Sequence, residues 1–441
     1  MSYEGPQWEA GLEVLQALSR SGSEAYFVGG CVRDALLGIE ASDIDIATSA
    51  DPGEVLRLFP DALPTGLKHG TVTVRRSGFF FEVTTFRQEA GYSDGRRPDD
   101  VIFVRDVRED LARRDFTINA MAAGSDGAIV DPFGGMADLR ARIMRAVGEP
   151  AQRFGEDALR IVRCVRFAAR YGLTVDERTW AGVLACRDKL PLVAMERIGA
   201  ELDKMMAGGD PGRAFALLLA ASLPERFKRP LPAAWLARLR EIVGNDRECA
   251  EPTRADTRAA SAERPGLARY MPSSADADLR WAALFLAGEA SPEAAEDTMK
   301  RLHFAGKRIR RIIDIVRLHL SLPARFDPAN WHRSWAIGVL DRGTEAAVDW
   351  HALFEAERVR AAFGVPGELH SAVPLWTAAL PAVRVADLAL RGDELAAAAG
   401  RAPGPWIAVA LRELLEQVAL GELNNDADAL RTAFLNKHRE G

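Results

Sequence analysis

Asp43 and Asp45 stand two residues apart, the first just before and the second within Ile44-Asp-Ile-Ala47, a stretch of strand character. Side chains alternate along a strand, so both carboxylates leave the same face. Two neighbouring carboxylates repel and resist desolvation unless a cation lies between them. Mg2+, a hard ion that takes oxygen ligands and nucleotide phosphates, suits the pair. Upstream the chain reads Tyr26-Phe-Val-Gly-Gly-Cys-Val-Arg-Asp34. The apolar start predicts a buried strand, and Gly29-Gly30 lets the backbone approach a ligand with no Cβ in the way. Arg33 and Asp34 then fall in a following helix, whose free N–H groups, with the Arg33 guanidinium, suit a phosphate. Either piece by itself reads equally as a tight glycine turn or as two solvated edge aspartates. Their order along the chain points to metal-assisted chemistry on a nucleotide phosphate.

Other polar residues fit such a site. Glu82 interrupts the apolar run Phe79–Phe86. It is either a third carboxylate beside the aspartates or a side chain on the solvated face of its strand. Leu111–Ala120 reads as the opening of a helix in which Arg113 and Arg114 meet phosphate oxygens. Asp115 and Asn119, one turn apart, then face a ribose together; an ordinary capped helix start is the alternative. In Glu156-Asp-Ala-Leu-Arg-Ile-Val-Arg-Cys-Val-Arg166, Asp157 and Arg160 are three apart, and Arg163 and Arg166 extend the same stripe. A carboxylate acceptor beside a guanidinium donor matches the amino group and ring nitrogen of cytosine or adenine and opposes uracil and guanine. A solvated, salt-bridged arginine face is the alternative. Basic residues also gather at Lys300-Arg301 and Lys307–Arg311, for polynucleotide phosphates or simple solvation. Gly400 suits a helix end and Pro405 the start of the next helix.

The elements that position these residues change character along the chain. Residues 1–150 mix strands and helices, with Val72–Arg75 and Phe79–Phe86 joined by a Ser77-Gly78 turn and a short strand at Ala128–Val130. Beyond Gly155 amphipathic helical patterns dominate, as in Asp157–Tyr171, Arg197–Met206, Arg213–Leu219 and Leu279–Leu286. Residues 245–278 lack periodicity and read as an exposed polar loop. The 441 residues allow two to four domains. No apolar stretch has membrane-spanning length, and the acidic N-terminal segment has no signal core. The four cysteines form no CxxC pair, so the expectation is reduced thiols, no zinc and a cytoplasmic protein. The net charge of -6 disfavours nonspecific coating of nucleic acid while allowing a local basic groove.

The ordered set resembles the class II tRNA nucleotidyltransferases, the CCA-adding family within the polymerase-β-like superfamily. It comprises Gly29–Asp34, Ser42–Thr48, Thr65–Thr71, Glu82–Arg87, Arg113–Ala120, Asp131–Gly135, Glu156–Arg160, Glu196–Leu202, and Gly392–Ile407 with Asn424. The resemblance implies an α+β fold of seahorse-like form, with a mixed-sheet α/β head (1–150) followed by an all-α neck (151–215), body (216–350) and tail (351–441). The head is expected to be catalytic, the neck to read the base and the tail to bind tRNA. The implied reaction adds CCA to the tRNA 3′ end from CTP and ATP and releases pyrophosphate. The resemblance places Mg2+ on Asp43 and Asp45, triphosphate and sugar contacts on Gly30, Arg33 and Arg114, and base reading on Asp157 and Arg160, supported by Arg163 and Arg166. An A-adding-only enzyme, a poly(A) polymerase and a non-catalytic RNA-binding relative are the rival readings. The polar stretch Glu89–Pro98 is expected to be the mobile element that retunes the site for the terminal A. The Leu284–Gly288 segment lacks a His-Asp pair, so no phosphatase activity is expected.

Overall fold

The computed structural model describes residues 3–41, 43–91, 100–244, 266–322 and 330–437. Among these, residues 3–205 and 214–231 make one compact unit, and residues 206–213, 232–244 and 266–437 make another.

The strands of the first unit are β1 (Ala25–Val28), β2 (Asp45–Thr48), β3 (Leu63–Gly66), β4 (Thr71–Arg76), β5 (Phe79–Thr85), β6 (Arg87–Ala90), β7 (Asp100–Phe103), β8 (Ala122–Ala123), β9 (Ile129–Val130), β10 (Ile143–Met144) and β11 (Thr174–Val175). Seven of them form one mixed sheet in the order β3-β4-β5-β2-β1-β8-β9. The apolar strands are the central ones. Antiparallel β1 sets Val28 opposite Asp45, and parallel β5 sets Val83 opposite Ile46. The expected turn at Ser77-Gly78 is present, with positive φ at both residues, as a tight hairpin of this twist requires.

Helices cover the sheet and then take over: α1 (Pro6–Arg20), α2 (Gly30–Leu36), α3 (Pro52–Leu58), α4 (Val107–Ala112), α5 (Gly135–Ala141), α6 (Pro150–Glu156), α7 (Leu159–Arg170), α8 (Glu177–Cys186) and α9 (Met195–Met206). Asp131 begins α5 by accepting from the Gly135 and Met136 N–H groups at 2.7 and 2.9 Å. The α7 helix buries Ile161, Val162, Val165 and Ala168 and turns its arginines the other way.

Further along come α10 (Pro211–Ala220), α11 (Ala233–Gly244), α12 (Ala277–Ala287), α13 (Pro292–Arg301), α14 (Gly306–Ser321), α15 (Trp331–Arg342), α16 (Thr344–Leu353), α17 (Glu357–Phe363), α18 (Gly367–Ala379), α19 (Gly392–Ala399), α20 (Trp406–Ala419) and α21 (Ala427–Lys437). In the second unit, α12 is buried from Asp278 to Ala287, and Trp281, Trp335 and Trp350 are fully enclosed. Burial also pushes the His319 imidazole down to about 4, so it stays neutral while accepting from the Trp350 Nε1–H at 3.3 Å. Gly400 ends α19 in the left-handed conformation and Pro405 precedes α20, as expected.

Three expectations need correction. Leu111–Ala120 does not open a helix. It is the end of α4 followed by a single 3-10 turn at Thr117–Asn119, because the segment must bend to bury Phe116 and Ile118. The polar loop does not run to residue 278. Leu267 and Met271 are buried and α12 has begun by Ala277, capped by Asp276; residues 245–265 lie outside the described residues. Glu89 and Ala90 belong to β6, which pairs antiparallel with β7; residues 92–99 of the expected mobile stretch lie outside the described residues.

Gly11 lets α1 lie directly on the sheet. A Cβ there would sit 2.8 Å from the Phe27 ring and 3.2 Å from the Phe81 ring, both fully buried. Alanine in a helix interior ordinarily gains about 1 kcal/mol over glycine, whereas overpacking a tight core costs about 1–3 kcal/mol. The steric term wins here. Gly11→Ala is expected to lower the urea midpoint by an amount equivalent to about 1 kcal/mol, and a raised midpoint would contradict this packing.

Candidate active site

A cleft of about 500 Å3 in the first unit brings together Gly29, Gly30, Arg33, Asp43, Asp45, Arg113, Arg114, Asp115, Asn119, Asp157, Arg160, Arg163, Arg166 and Arg197. Every expected site residue except Glu82 lines it.

At one end are the aspartates. Ile44 and Ile46 are buried while Asp43, just before β2, and Asp45, its first residue, face outward, so the expected shared face holds although only Asp45 lies on the strand. The Asp45 carboxyl is raised above its usual value, first by burial, then by the neighbouring Glu82 carboxylate and by Asp43, against the lowering pull of Arg114. Glu82 is exposed on adjacent β5, and the Ile46–Val83 register puts it on the same side as Asp45. Both readings of Glu82 therefore hold in part: it is solvated, and it adds negative charge beside the pair. Among the described residues no three His, Cys, Asp or Glu side chains converge on one point. The chemistry of this corner is a crowded set of oxygen donors.

The glycine turn works differently from the expectation. Gly29 has φ 74°, and a Cβ there would meet Arg114 Nη1 at 2.7 Å. Its missing side chain makes room for a protein guanidinium, which is thereby held near Asp45. Asp110, fully buried, accepts from Arg113 at 2.8 Å and from Arg114 at 3.3 Å. Sequence reasoning missed Asp110, although its spacing of three and four from the two arginines that follow α4 was the available signal.

Arg33 is largely spent inside the protein. Its Nε donates to Asp34 at 2.8 Å, Nη1 donates to Asn119, and the guanidinium lies 4.5 Å from the centre of the Tyr171 ring. Tyr171 in turn donates to Asp34 at 2.9 Å. Asn119 donates to Asp115 at 3.0 Å, and Arg163 of α7 donates to the same carboxylate at 2.8 Å. A continuous set of buried polar contacts thus runs from α2 through the 3-10 turn to α7.

The stripe expected on one helix face is split. Asp157 lies before α7 in extended backbone (φ −144°), where its Oδ1 accepts from the Leu159 N–H at 3.0 Å. It pairs with Arg197 of α9 rather than with Arg160. Arg160 is held by Glu156 at 2.5 Å, by the Arg153 carbonyl at 3.0 Å and by the Arg113 carbonyl at 3.3 Å. Arg166 pairs with buried Glu201 at 2.5 Å, with its guanidinium 4.0 Å from the centre of the Phe167 ring. Arg197 and Glu201 belong to the quoted segment Glu196–Leu202, but no local pattern linked them to α7.

The basic clusters of the second unit are mostly neutralised. Lys300 and Arg301 pair with Glu296 and Asp297 one turn back, both at 2.6 Å. Arg308 and Arg311 pair with Asp278, and Arg311 also with Asp349. A cleft of about 660 Å3 beside α14 has five cationic side chains facing four carboxylates. It lacks the charge excess of a polyanion site.

Comparison with known proteins follows the same division. A family profile described as "Poly A polymerase head domain" matches residues 25–145, and one described as tRNA nucleotidyltransferase domain 2 matches residues 273–434. The chain is 34% identical over 437 residues to a CCA-adding enzyme of Anoxybacillus flavithermus and 35% identical over 441 residues to one of Geobacillus stearothermophilus, with 98% of each chain covered in both cases. It superposes on the crystal structure of the Bacillus stearothermophilus CCA-adding enzyme in complex with CTP with a TM-score of 0.77, at 32% identity and 99% coverage of both chains. The Thermotoga maritima CCA-adding enzyme complexed with tRNA shares the fold, with a TM-score of 0.59 at 19% identity.

Burial by itself would raise the Asp115 carboxyl, but Arg163, Asn119 and Arg160 outweigh it and hold the group at about 2, below its ordinary 3.8. A carboxylate depressed in this way stabilises the fold above its unfolded value and loses that contribution as pH falls toward the folded value. The amount is about 2 kcal/mol. Asp115→Asn is expected to be less stable than the parent at pH 7, with the gap narrowing between pH 4 and pH 2. Urea midpoints across that range check it, and a constant gap would contradict it.

Proposed function

The chain belongs to the family of CCA-adding enzymes, nucleotidyltransferases that extend tRNA, and we propose that the cleft of its first unit is the seat of that reaction. It adds C, C and A to the tRNA 3′ end from CTP and ATP, with release of pyrophosphate. Its partners are tRNA and these nucleotides. The observation that carries the placement is the cleft itself, which unites a repelling carboxylate pair, a guanidinium beside it and an Asp/Arg pair able to read a base edge.

The family requires a divalent metal, and Mg2+ is the ion we assign to Asp43 and Asp45. The raised carboxyl of Asp45 fits, because a bound cation relieves the burial and the repulsion that raise it. When bound, such an ion neutralises triphosphate charge and makes the attacking hydroxyl more acidic. The chain's own residues do the positioning. Arg114, seated over Gly29 and braced by Asp110, takes phosphate oxygens, with Gly30 and Arg33 behind it. Asn119 and Asp115 form the floor under the sugar. Asp157 and Arg160 present an acceptor and a donor to the base edge, while Arg163 and Arg166 hold α7 in place. Rate then comes chiefly from alignment and fixed charge, since the 3′-hydroxyl and the α-phosphorus are otherwise dilute partners.

The proposed division of labour is a head over 1–150, a neck over 151–215, a body over 216–350 and a tRNA-binding tail over 351–441. A cytoplasmic setting is proposed with it, in keeping with three buried free thiols, Cys31, Cys164 and Cys186. Among the described residues no helix is long and apolar enough to cross a membrane.

Three tRNAs, ending before CCA, after C and after CC, offered labelled CTP or ATP, test the whole reading. Addition at all three supports it; A addition only after CC favours an A-adding enzyme. Asp43→Ala and Asp45→Ala are each expected to abolish addition and to remove the Mg2+-dependent rise in melting temperature, while tRNA binding persists. Substantial turnover in either variant would overturn the metal assignment. Because the Asp45 carboxyl is raised, acidification should protonate it earlier than an ordinary carboxylate. The Mg2+-dependent melting shift should therefore fade at a higher pH than an unperturbed aspartate would predict. Asp157→Ala and Arg160→Ala should each raise UTP and GTP misincorporation, with about 1–3 kcal/mol of selection lost. Wild-type discrimination in both would assign them another role.

A further inference from the structure

We propose that Arg197 is a specificity-determining positioning residue, which sets the single hydrogen-bond direction that Asp157 leaves open to a nucleotide base. This rests on the base-reading role assigned above to Asp157. Arg197 lies on α9, forty residues from Asp157, and grips its carboxylate with both arms: Nη1 to Oδ1 at 3.2 Å and Nη2 to Oδ2 at 2.7 Å. The two side chains are 23% and 14% exposed, so the pair is partly shielded and sits at the cleft wall.

The hydrogen-bond count gives the grip its meaning. An ionised carboxylate offers about four acceptor positions. On Asp157, Arg197 takes one on each oxygen and the Leu159 N–H takes a second on Oδ1. Among the described residues one position remains, on Oδ2. The amino group of cytosine or adenine needs one acceptor at that edge, so the occupied carboxylate matches it. Two-pronged pairing also fixes the carboxylate plane, which a side chain free to turn about its last bond would not keep. Without Arg197 the carboxylate can rotate and offer acceptors in directions unrelated to Arg160. The Asp/Arg pattern would then lose the fixed spacing that separates cytosine from uracil and adenine from guanine.

Arg160 is immobilised independently by Glu156 and two backbone carbonyls. The donor half of the template is therefore set by the segment around α6 and α7 and by the turn after α4. The acceptor half is set by α9. Arg197 alone among these holds the acceptor by its charge-bearing group, so it is the position at which selection is separable from overall folding.

The test uses the full-length protein with a tRNA ending before CCA and measures kcat/KM for CTP and for UTP. Arg197→Gln keeps an amide donor but loses the fork, and Arg197→Lys keeps the charge but loses the fork; Asp157→Ala is run beside them, and melting curves establish folding. The expected result is a UTP-to-CTP ratio raised at least tenfold in Arg197→Gln, less in Arg197→Lys, with the loss on CTP falling mainly on KM. A residue that merely braced the fold would slow both nucleotides alike. A ratio within twofold of wild type in Arg197→Gln, while Asp157→Ala has lost discrimination, overturns the inference and leaves base reading by Asp157 intact. Retained discrimination in Asp157→Ala overturns base reading itself and the inference with it. If Arg197→Gln does not fold, the twofold criterion applies to Arg197→Lys.

Discussion

A carboxylate withdrawn from water must be matched by donors, and Asp115 is the place where this requirement organises the molecule. Its oxygens accept from Arg163, from Asn119 and from the Phe116 N–H. Those partners come from α7 and from the turn that follows α4. Through Asn119 and Arg33 the same set reaches α2, and through Tyr171 it returns to the end of α7. Helix α2, the turn that carries Asn119 and the helix that carries the arginines are thus held to one another by polar contacts.

Beside this set, the arginines of the cleft divide by what they touch. Arg33, Arg163 and Arg166 all lie near Phe167, at 5.1, 5.2 and 4.0 Å from its ring centre. The ring face attracts each cation, and each also has its own carboxylate or amide partner. Arg114 differs. Among the described residues its buried Nε has no hydrogen-bond partner and Asp110 alone takes its terminal nitrogen. Of the guanidiniums near the aspartates it retains the most unused donor capacity, in keeping with a role toward phosphate.

The sheet, its hairpin and the long helices were legible from apolar period and turn residues, because those signals are local. Asp43 and Asp45 were legible as exposed neighbours of buried Ile44 and Ile46, although only Asp45 lies on the strand. What escaped was non-local. Arg197 and Asp157 meet across forty residues, and nothing in either segment announces the other. The Leu111–Ala120 segment carries helix-compatible residues, and only the need to bury Phe116 and Ile118 bends it into a single turn. The function of Gly29 was misplaced for a related reason: positive φ and lack of a Cβ are readable as a glycine, but the neighbour that fills the space is not. The basic cluster on α14 looked like a free surface until Asp276, Asp278 and Asp349, from other helices, were seen to answer it.

The pair between Arg166 and Glu201 is enclosed on both sides, with side chains 7% and 5% exposed. Removing one member of such a pair costs about 3–5 kcal/mol, and a typical domain holds only about 5–15 kcal/mol in reserve. Altering one of these positions alone therefore removes a large share of that reserve. The two positions therefore change at the least cost together, as an exchange for an apolar couple, although thirty-four residues of chain lie between them.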